Sequence, residues 1–413
     1  MPRLIPLAKP VINNALRILI LTHRVPFPQN GGYPIVVGNT IKGLVTHGHQ
    51  VSLISINVKK HTDKISERDE LLNKIAYTEY DIDTHVSAVE FVSNLFTKNP
   101  YNIDKYYTAG FEKLLVQNLK DNTYDIVQLE GLFVAPYLSA IRKASRAKVI
   151  YRAHNIEHQV WRRLAQQKGD PFKKWYLNLL ARRVKTYELE LLNKFDGIAV
   201  FTAQDKTSML SFGAKIPLQV LPIGVDLTRY CPEPDKTEYP SLFFLGSLDW
   251  LPNREGIEWF IENFHKEIVD GDLKVKFYVA GNSIPEEFDE YEVPGKVFIQ
   301  GEVDDALEFV NSKSIMIVPL LSGGGMRVKI VEGMAMQKCI ISTTIGAEGI
   351  NFTDGKDIII ANNADEFYKA MLRCIRDEEY SRTVGKNARL LIEQQHDVNK
   401  VTEGLLAFYR SVI

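Results

Sequence analysis

Short apolar runs alternate with longer stretches of helical periodicity along nearly the whole chain. The first run, Arg17-Ile-Leu-Ile-Leu-Thr22, is short and continuously apolar, and it predicts a strand buried on both faces. The turn-rich Pro26-Phe-Pro-Gln-Asn-Gly-Gly32 follows, then a helical span from about Ile35 to His47 that ends at Gly48. Val51–Ile56 predicts the next strand. Strand, loop, helix and strand in that order begin a parallel sheet, because parallel neighbours need a crossover. The unit returns at Asp125–Glu130, Lys148–Ala153 and Gly197–Thr202. A second set starts beyond Pro222, with strands expected at Ser241–Gly246, Lys276–Gly281, Val297–Gln300, Ile315–Pro319, Cys339–Ser342 and Ile358–Ile360. The pattern predicts an α/β chain of two doubly wound domains, residues 1–215 and 216–397, joined tightly near Val220–Asp226. Two such sheets imply a cleft between them, and ligands of open α/β sheets sit outside the carboxyl ends of the strands.

Length and composition agree with this division. The 413 residues suit two domains, and 45% apolar with 24% charged residues is the balance of a soluble globular protein. The net charge of −1 conceals an uneven distribution: residues 1–222 carry +11 and residues 223–413 carry −12. Such asymmetry points to two bodies with different partners. Cys231, Cys339 and Cys374 are far apart in sequence, which disfavours a disulfide framework or a thiolate zinc site and fits a reducing compartment. Leu16–Leu21 is interrupted by Arg17 and is too short for a signal peptide, and no apolar run approaches ~18 residues. A cytoplasmic location is the expectation.

The sharpest local feature runs from Pro319 to Met336. A strand ends at Pro319, Gly323, Gly324 and Gly325 free the backbone for close approach to a ligand, and a helix is expected to start near Met326. A helix start is an anion site. Arg327 and Lys329 fall in its first turn, where the helix dipole disfavours cations, and two cations there make sense if an anion lies between them. The alternative is a plain glycine turn with a surface Lys329–Glu332 pair. The sequence is not a Walker A loop, since no G-K-[ST] follows. Asn30-Gly-Gly-Tyr-Pro34, after the first strand, is a weaker phosphate cradle or a simple turn. It is not G-x-G-x-x-G, which disfavours a nicotinamide site. His154 follows the strand that ends at Ala153 and faces the expected cleft. His154 and His158 stand at i, i+4 without the H-E-x-x-H pattern, so zinc is not expected.

Taken together, the paired glycines after the first strand, Gly-Val-Asp at the joint, Phe244–Asn253, Val303-Asp304, Lys329-x-x-Glu332-Gly-Met-Ala and Ile345–Gly349 resemble a family 4 (group 1) glycosyltransferase of the GT-B fold. The resemblance covers nearly the whole chain. It implies two Rossmann-like domains, an acceptor-binding N-terminal domain onto which residues 398–413 cross back, and a C-terminal domain that binds a nucleotide-diphosphate sugar. It also implies a retaining, metal-independent hexosyltransferase-like reaction with no cofactor, since the nucleotide sugar is a substrate. Carried over by position, Glu332 matches the second Glu of the family's E-x7-E motif, which binds the nucleotide ribose. His154 matches the histidine near the donor sugar, and Gly31 and Gly32 match the glycine loop at the diphosphate. Two positions depart: Gly324 stands where the first Glu of that motif belongs, and Ser247 and Asn253–Gly256 lack the family's Arg and Lys. Arg327 and Lys329 are the expected replacements at the diphosphate, with the backbone of Gly324 to Met326 beside them and Arg254 as a further candidate.

One more segment is distinctive. Residues 161–185 carry a net +7, with Arg162, Arg163, Lys168, Lys173 and Lys174 among the cations, interleaved with Trp161, Phe172, Trp175 and Tyr176. Basic helices with Trp and Leu lie at membrane interfaces, so an anionic membrane surface is an expected partner and the chain is expected to be peripheral on the inner face of the cytoplasmic membrane. The competing reading makes the apolar residues core and the basic ones a solvated face. No nucleic-acid motif accompanies the patch. The expected function is sugar transfer to a glycan or lipid-linked acceptor in cell-surface polysaccharide assembly. A nucleotide-sugar epimerase of the same fold and a non-catalytic nucleotide-sugar-binding protein are the rivals.

Overall fold

The computed structural model describes residues 15–29, 31–58, 70–83, 100–167 and 170–413. The chain divides into two compact units, one running up to Gly224 and including Asn399–Ile413, the other spanning Val225–Val398.

The first unit is a seven-stranded sheet in the order β3-β2-β1-β4-β5-β6-β7, built from β1 (Arg17–Thr22), β2 (Gln50–Val58), β3 (Ala76–Ile82), β4 (Ile126–Glu130), β5 (Lys148–Ala153), β6 (Gly197–Val200) and β7 (Leu218–Val220). Every pairing is parallel. Its helices are α1 (Gly32–Thr46), α2 (Tyr101–Asp104), α3 (Ala109–Asp121), α4 (Leu138–Ala144), α5 (Glu157–Gln167), α6 (Pro171–Leu191) and α7 (Ala203–Ser211). β1 is buried at all positions but Arg17, as a continuous apolar run in a sheet covered on both faces should be. The edge strands β3 and β7 were not evident from the sequence. Their residues are mostly half-buried and include Tyr77, Glu79, Asp81 and Gln219, so no apolar run marks them. β7 also carries the first unit past residue 215. α1 starts at Gly32, three residues before the expected Ile35, because Pro34 is accepted in a first turn.

The second unit holds β8 (Glu238–Leu245), β9 (Lys276–Ala280), β10 (Val297–Gly301), β11 (Lys313–Val318), β12 (Cys339–Ser342) and β13 (Ile359–Ile360). All are parallel in the order β10-β9-β8-β11-β12-β13, which repeats the order of the first sheet counted from its own first strand. Its helices are α8 (Leu251–Val269), α9 (Ala306–Asn311), α10 (Val328–Ala335), α11 (Ala364–Arg376) and α12 (Glu378–Gln395). The last helix, α13 (Val398–Val412), belongs almost wholly to the first unit, where Leu405, Leu406, Phe408 and Tyr409 pack with Ile18, Ile20, Ile126 and Ile150 of the sheet.

Both sheets carry the doubly wound order in which the strand direction of travel reverses at one point. That point lies between β1 and β4 in the first unit and between β8 and β11 in the second. Crevices open there at the carboxyl ends of the strands.

Candidate functional site

In the first unit the crevice gathers side chains from four elements. His23 follows β1, Tyr33 sits in the first turn of α1, Glu130 ends β4 and His154 follows β5. Ring centroids are 4.5 Å apart for His23 and Tyr33, and 4.8 Å apart for Tyr33 and His154. Nε2 of His154 lies 2.6 Å from Oε2 of Glu130, and the edge of His154 meets Phe201 at 5.1 Å. The Tyr33 hydroxyl donates to the Glu130 carbonyl at 3.3 Å. Burial, reinforced by the neighbouring His154, lowers the His23 pKa to about 3, so His23 is neutral at physiological pH. Burial alone would raise Glu130. The bond from His154, the nearby charge of Arg152 and the bond from Gln128 outweigh it and hold the carboxyl below its ordinary value. Gly31 takes φ 138°, and α1 starts at the next residue, Gly32, where chain and ligand can come close. Asn30 lies outside the described residues.

In the second unit the crevice lies between the end of β8 and the glycine loop after β11. Gly323 and Gly325 take φ of 102° and 83°, conformations costly for other residues. The helix behind them starts at Val328, two residues later than expected, with Arg327 at its N-cap. Lys329 therefore stays in the first turn while Arg327 stands at the boundary. The guanidinium of Arg327 is buried, donates to the Gly324 carbonyl and lies 4.9 Å from the Trp250 ring. It clasps the loop from below.

Lys329 does not pair with Glu332. Its Nζ donates to Asn253 Oδ1 at 2.8 Å and to the Leu245 carbonyl at 3.4 Å, and it stands 4.3 Å from the Phe244 ring. Asn253 in turn donates to the Ser247 carbonyl at 2.8 Å. Burial, with help from Arg327, pulls the Lys329 pKa down to about 7. Glu332 instead accepts from the Tyr230 hydroxyl, and burial raises its pKa to about 7. Arg254 is held by Glu258 at 2.7 Å and by Glu287. Gly324 and Met326 lie in the loop, half-buried.

The remaining residues separate. His158 is buried against Glu188, with Nδ1 2.5 Å from Oε2, and does not share a centre with His154. Of the basic aromatic stretch, Trp161 packs on the core of the first unit and Arg163 is half-buried. Arg162, Phe172, Lys173, Lys174 and Trp175 are exposed, with Phe172 at 63% and Trp175 at 54%. The Phe172 and Trp175 rings are neighbours at 5.8 Å. Lys168 lies outside the described residues. Among the described residues no helix is long and apolar enough to cross a membrane.

Comparison with known proteins now decides the family. The glycosyltransferase family 4 model matches residues 30–229, and the model of glycosyl transferases group 1 matches residues 239–377. The chain belongs to the family 4, or group 1, glycosyltransferases. An uncharacterized 44.6 kDa protein in the cps region of Klebsiella pneumoniae is 23% identical over 395 residues, covering 93% of this chain and 97% of that protein. Two solved structures show the GT-B fold of this glycosyltransferase. Sucrose-phosphate synthase from Thermosynechococcus elongatus has a TM-score of 0.70 at 15% identity, over 96% of this chain and 99% of that one. Anabaena Alr3699/HepE in complex with UDP and glucose has a TM-score of 0.65 at 15% identity, over 96% of this chain and 100% of that one.

Several residues of this glycosyltransferase's two crevices had escaped sequence reasoning. Glu130 was visible as a carboxylate at the end of an expected strand, immediately before Gly131. His23 and Tyr33 had only their closeness to a strand end and a glycine pair. Tyr230 and Asn253 had no local signal, since they meet Glu332 and Lys329 across 102 and 76 positions.

Proposed function

We propose that this glycosyltransferase moves a sugar from a nucleotide-diphosphate donor to a glycan or lipid-linked acceptor, with retention at the anomeric carbon and without a metal. The observation that carries the reading is Lys329, a partly buried ammonium drawn to about 7, at the start of α10 beside a glycine loop. A group so destabilised as a cation gains most when a diphosphate arrives. Its Nζ also lies against Leu245, Gly246 and Asn253, which flank Ser247 in the segment that lacks the family's Arg and Lys.

In this reading Lys329 and Arg327 stabilise the departing diphosphate, together with backbone N–H groups from Gly323, Gly324, Gly325 and Met326. Glu332 accepts from the ribose hydroxyls, His154 lies near the sugar, and Gly31 and Gly32 approach the phosphates. Arg254, tied to two carboxylates, is the weaker candidate. The bond from the anomeric carbon to the β-phosphate oxygen breaks and the bond to the acceptor oxygen forms. The acceptor proton passes to the leaving phosphate, so no protein base is required. UDP in the Anabaena structure supports a nucleoside diphosphate, and the cps-region relative supports polysaccharide assembly. Incubation with a panel of UDP-, GDP- and dTDP-sugars tests this. Nucleotide release that needs an acceptor supports transfer. Conversion of donor without acceptor means an epimerase, and binding without turnover means a non-catalytic partner.

The acceptor side of the reading includes an anionic membrane surface. α6 has 21 residues and spans roughly 31 Å, while a six-residue strand spans roughly 20 Å. Because α6 leads back to the start of β6, its first turns lie on the side of the carboxyl ends of the strands, carrying Phe172, Lys173, Lys174 and Trp175. Two exposed aromatics flanking two lysines suit the lipid headgroup boundary. Binding to anionic but not to neutral vesicles, lost on Phe172→Ser/Trp175→Ser, is expected. Equal binding of both proteins to both vesicles would overturn it.

A further inference from the structure

His154 is held from behind by a chain of hydrogen bonds that ends in the last helix. Tyr409 of α13 donates its hydroxyl to Oε1 of Gln128. Burial raises the Tyr409 phenol far above its ordinary value, so it remains a donor. With its oxygen taken by Tyr409, Gln128 turns its amide nitrogen to Glu130, at 2.5 Å from Oε1. The other carboxylate oxygen of Glu130, Oε2, meets Nε2 of His154 at 2.6 Å. Gln128, Glu130 and Tyr409 are fully buried, whereas the His154 side chain is 12% exposed.

Charge and direction agree along this chain. Arg152, paired in register with Glu130 on the neighbouring strand, is 1% exposed, and its guanidinium lies over the Phe201 ring at 5.0 Å. It makes no hydrogen bond to either oxygen of Glu130, yet its charge favours the ionised form. An ionised carboxylate only accepts. Both of its oxygens must therefore meet N–H donors, which fixes Nε2 of His154 as the protonated nitrogen. Among the described residues Nδ1 takes no hydrogen bond.

We propose that Glu130 is a positioning residue that locks His154 in the Nε2–H tautomer, with Gln128 and Tyr409 holding Glu130 in turn, so that His154 presents an Nδ1 lone pair to a hydroxyl of the substrate. The substrate group at His154 is thus a hydrogen-bond donor. This deepens the reading of His154 as lying near the donor sugar and rests on it for the identity of the substrate only. A side chain in the N-terminal crevice is thus tied to α13, 281 positions from Gln128.

The tautomer is read without any donor. Long-range ¹H–¹⁵N correlation on histidine-labelled protein distinguishes the two neutral forms, and the signals of His154 are those missing from His154→Gln. At a pH where the imidazole is neutral, the free wild type is expected to show Nε2–H. Glu130→Gln, whose amide can donate to Nε2, is expected to shift the population toward Nδ1–H. Tyr409→Phe removes the outer donor while keeping the ring, and a mixture is expected. A wild-type Nδ1–H form overturns the proposal, and so does an unchanged His154 spectrum in both variants. If Glu130→Gln fails to fold, the wild type and Tyr409→Phe decide. Once a donor is known, Glu130→Gln is expected to lower kcat at least 10-fold with little change in KM. The double variant with His154→Gln should be no slower than His154→Gln alone, and additive losses would count against coupling. Should no donor be turned over, the transferase reading fails while the tautomer result stands.

Discussion

In the proposed reading Lys329 links donor binding to pH, and the size of the effect follows from its burial. With a pKa of about 7 in the free protein, the side chain is about half neutral at pH 7 and nearly all neutral by pH 9. A bound diphosphate favours the ammonium and returns its pKa toward the ordinary lysine range above 10. Binding must then take up a proton, and affinity falls as pH rises between those two values. Glu332 obscures this near neutrality, because it also titrates at about 7. Above pH 8 it is largely ionised, as are the phosphates of a nucleoside diphosphate, so Lys329 alone remains. Between pH 8 and 9.5 the affinity should fall roughly thirty-fold, or about 2 kcal/mol. Calorimetric titration of UDP and GDP at several pH values measures this, and repeating it in two buffers of different ionisation enthalpy gives the proton uptake. Lys329→Met should bind more weakly and show no fall over the same range. A wild-type affinity that is flat from pH 8 to 9.5 would refute the assignment of Lys329 to the diphosphate.

Three further effects follow from buried groups. The folded-state pKa of Lys329 lies below its unfolded value, so the unfolded chain holds more protons from about pH 7 to 10.5; stability from this group rises with pH across that window, and urea denaturation of Lys329→Met should show a shallower rise. Glu157 has the opposite sign. Burial, and then the neighbouring Glu188, raises its pKa to about 8, so the folded state holds the extra proton and stability falls as pH climbs from about 4.5 to 8. Glu157→Gln should remove that loss, on the order of a few kcal/mol between pH 5 and 8.5 by urea midpoint, and a wild-type slope kept in the variant would contradict it. Gly256 of α8 passes so close to the end of β11 that a Cβ would sit 2.6 Å from the Pro319 carbonyl oxygen. Gly256→Ala should therefore cost about 1–3 kcal/mol of stability and displace the glycine loop, with weaker nucleotide binding as the companion readout.

The fold was legible where burial on both faces writes a continuous apolar run, as at β1, β5, β11 and β12. It was not legible at β3 and β7, whose edge positions mix Tyr, Glu, Asp and Gln with no run to detect. In the second crevice the glycines, Arg327, Lys329 and Glu332 stood out because they are adjacent in sequence. The structure changed what they touch: Lys329 reaches Asn253 instead of Glu332, and Arg327 folds beneath its own loop. In the first crevice His154 was found, but its carboxylate partner comes from the neighbouring strand and its outer support from the last helix. Pairings across a parallel sheet depend on strand order, which no local pattern encodes. The basic stretch 161–185 divided in the same way, since helical spacing alone does not tell that Trp161 packs inward and Trp175 outward.

The most direct test of the proposed diphosphate site compares wild type and Lys329→Met, in the presence of a metal chelator, on whichever nucleotide sugar the wild type turns over. Expected is acceptor-dependent release of the nucleoside diphosphate by wild type, undiminished by the chelator, and a loss on the order of 10²–10³-fold in kcat for the variant. Equal rates for the two proteins, or release that stops when divalent cations are removed, would contradict it.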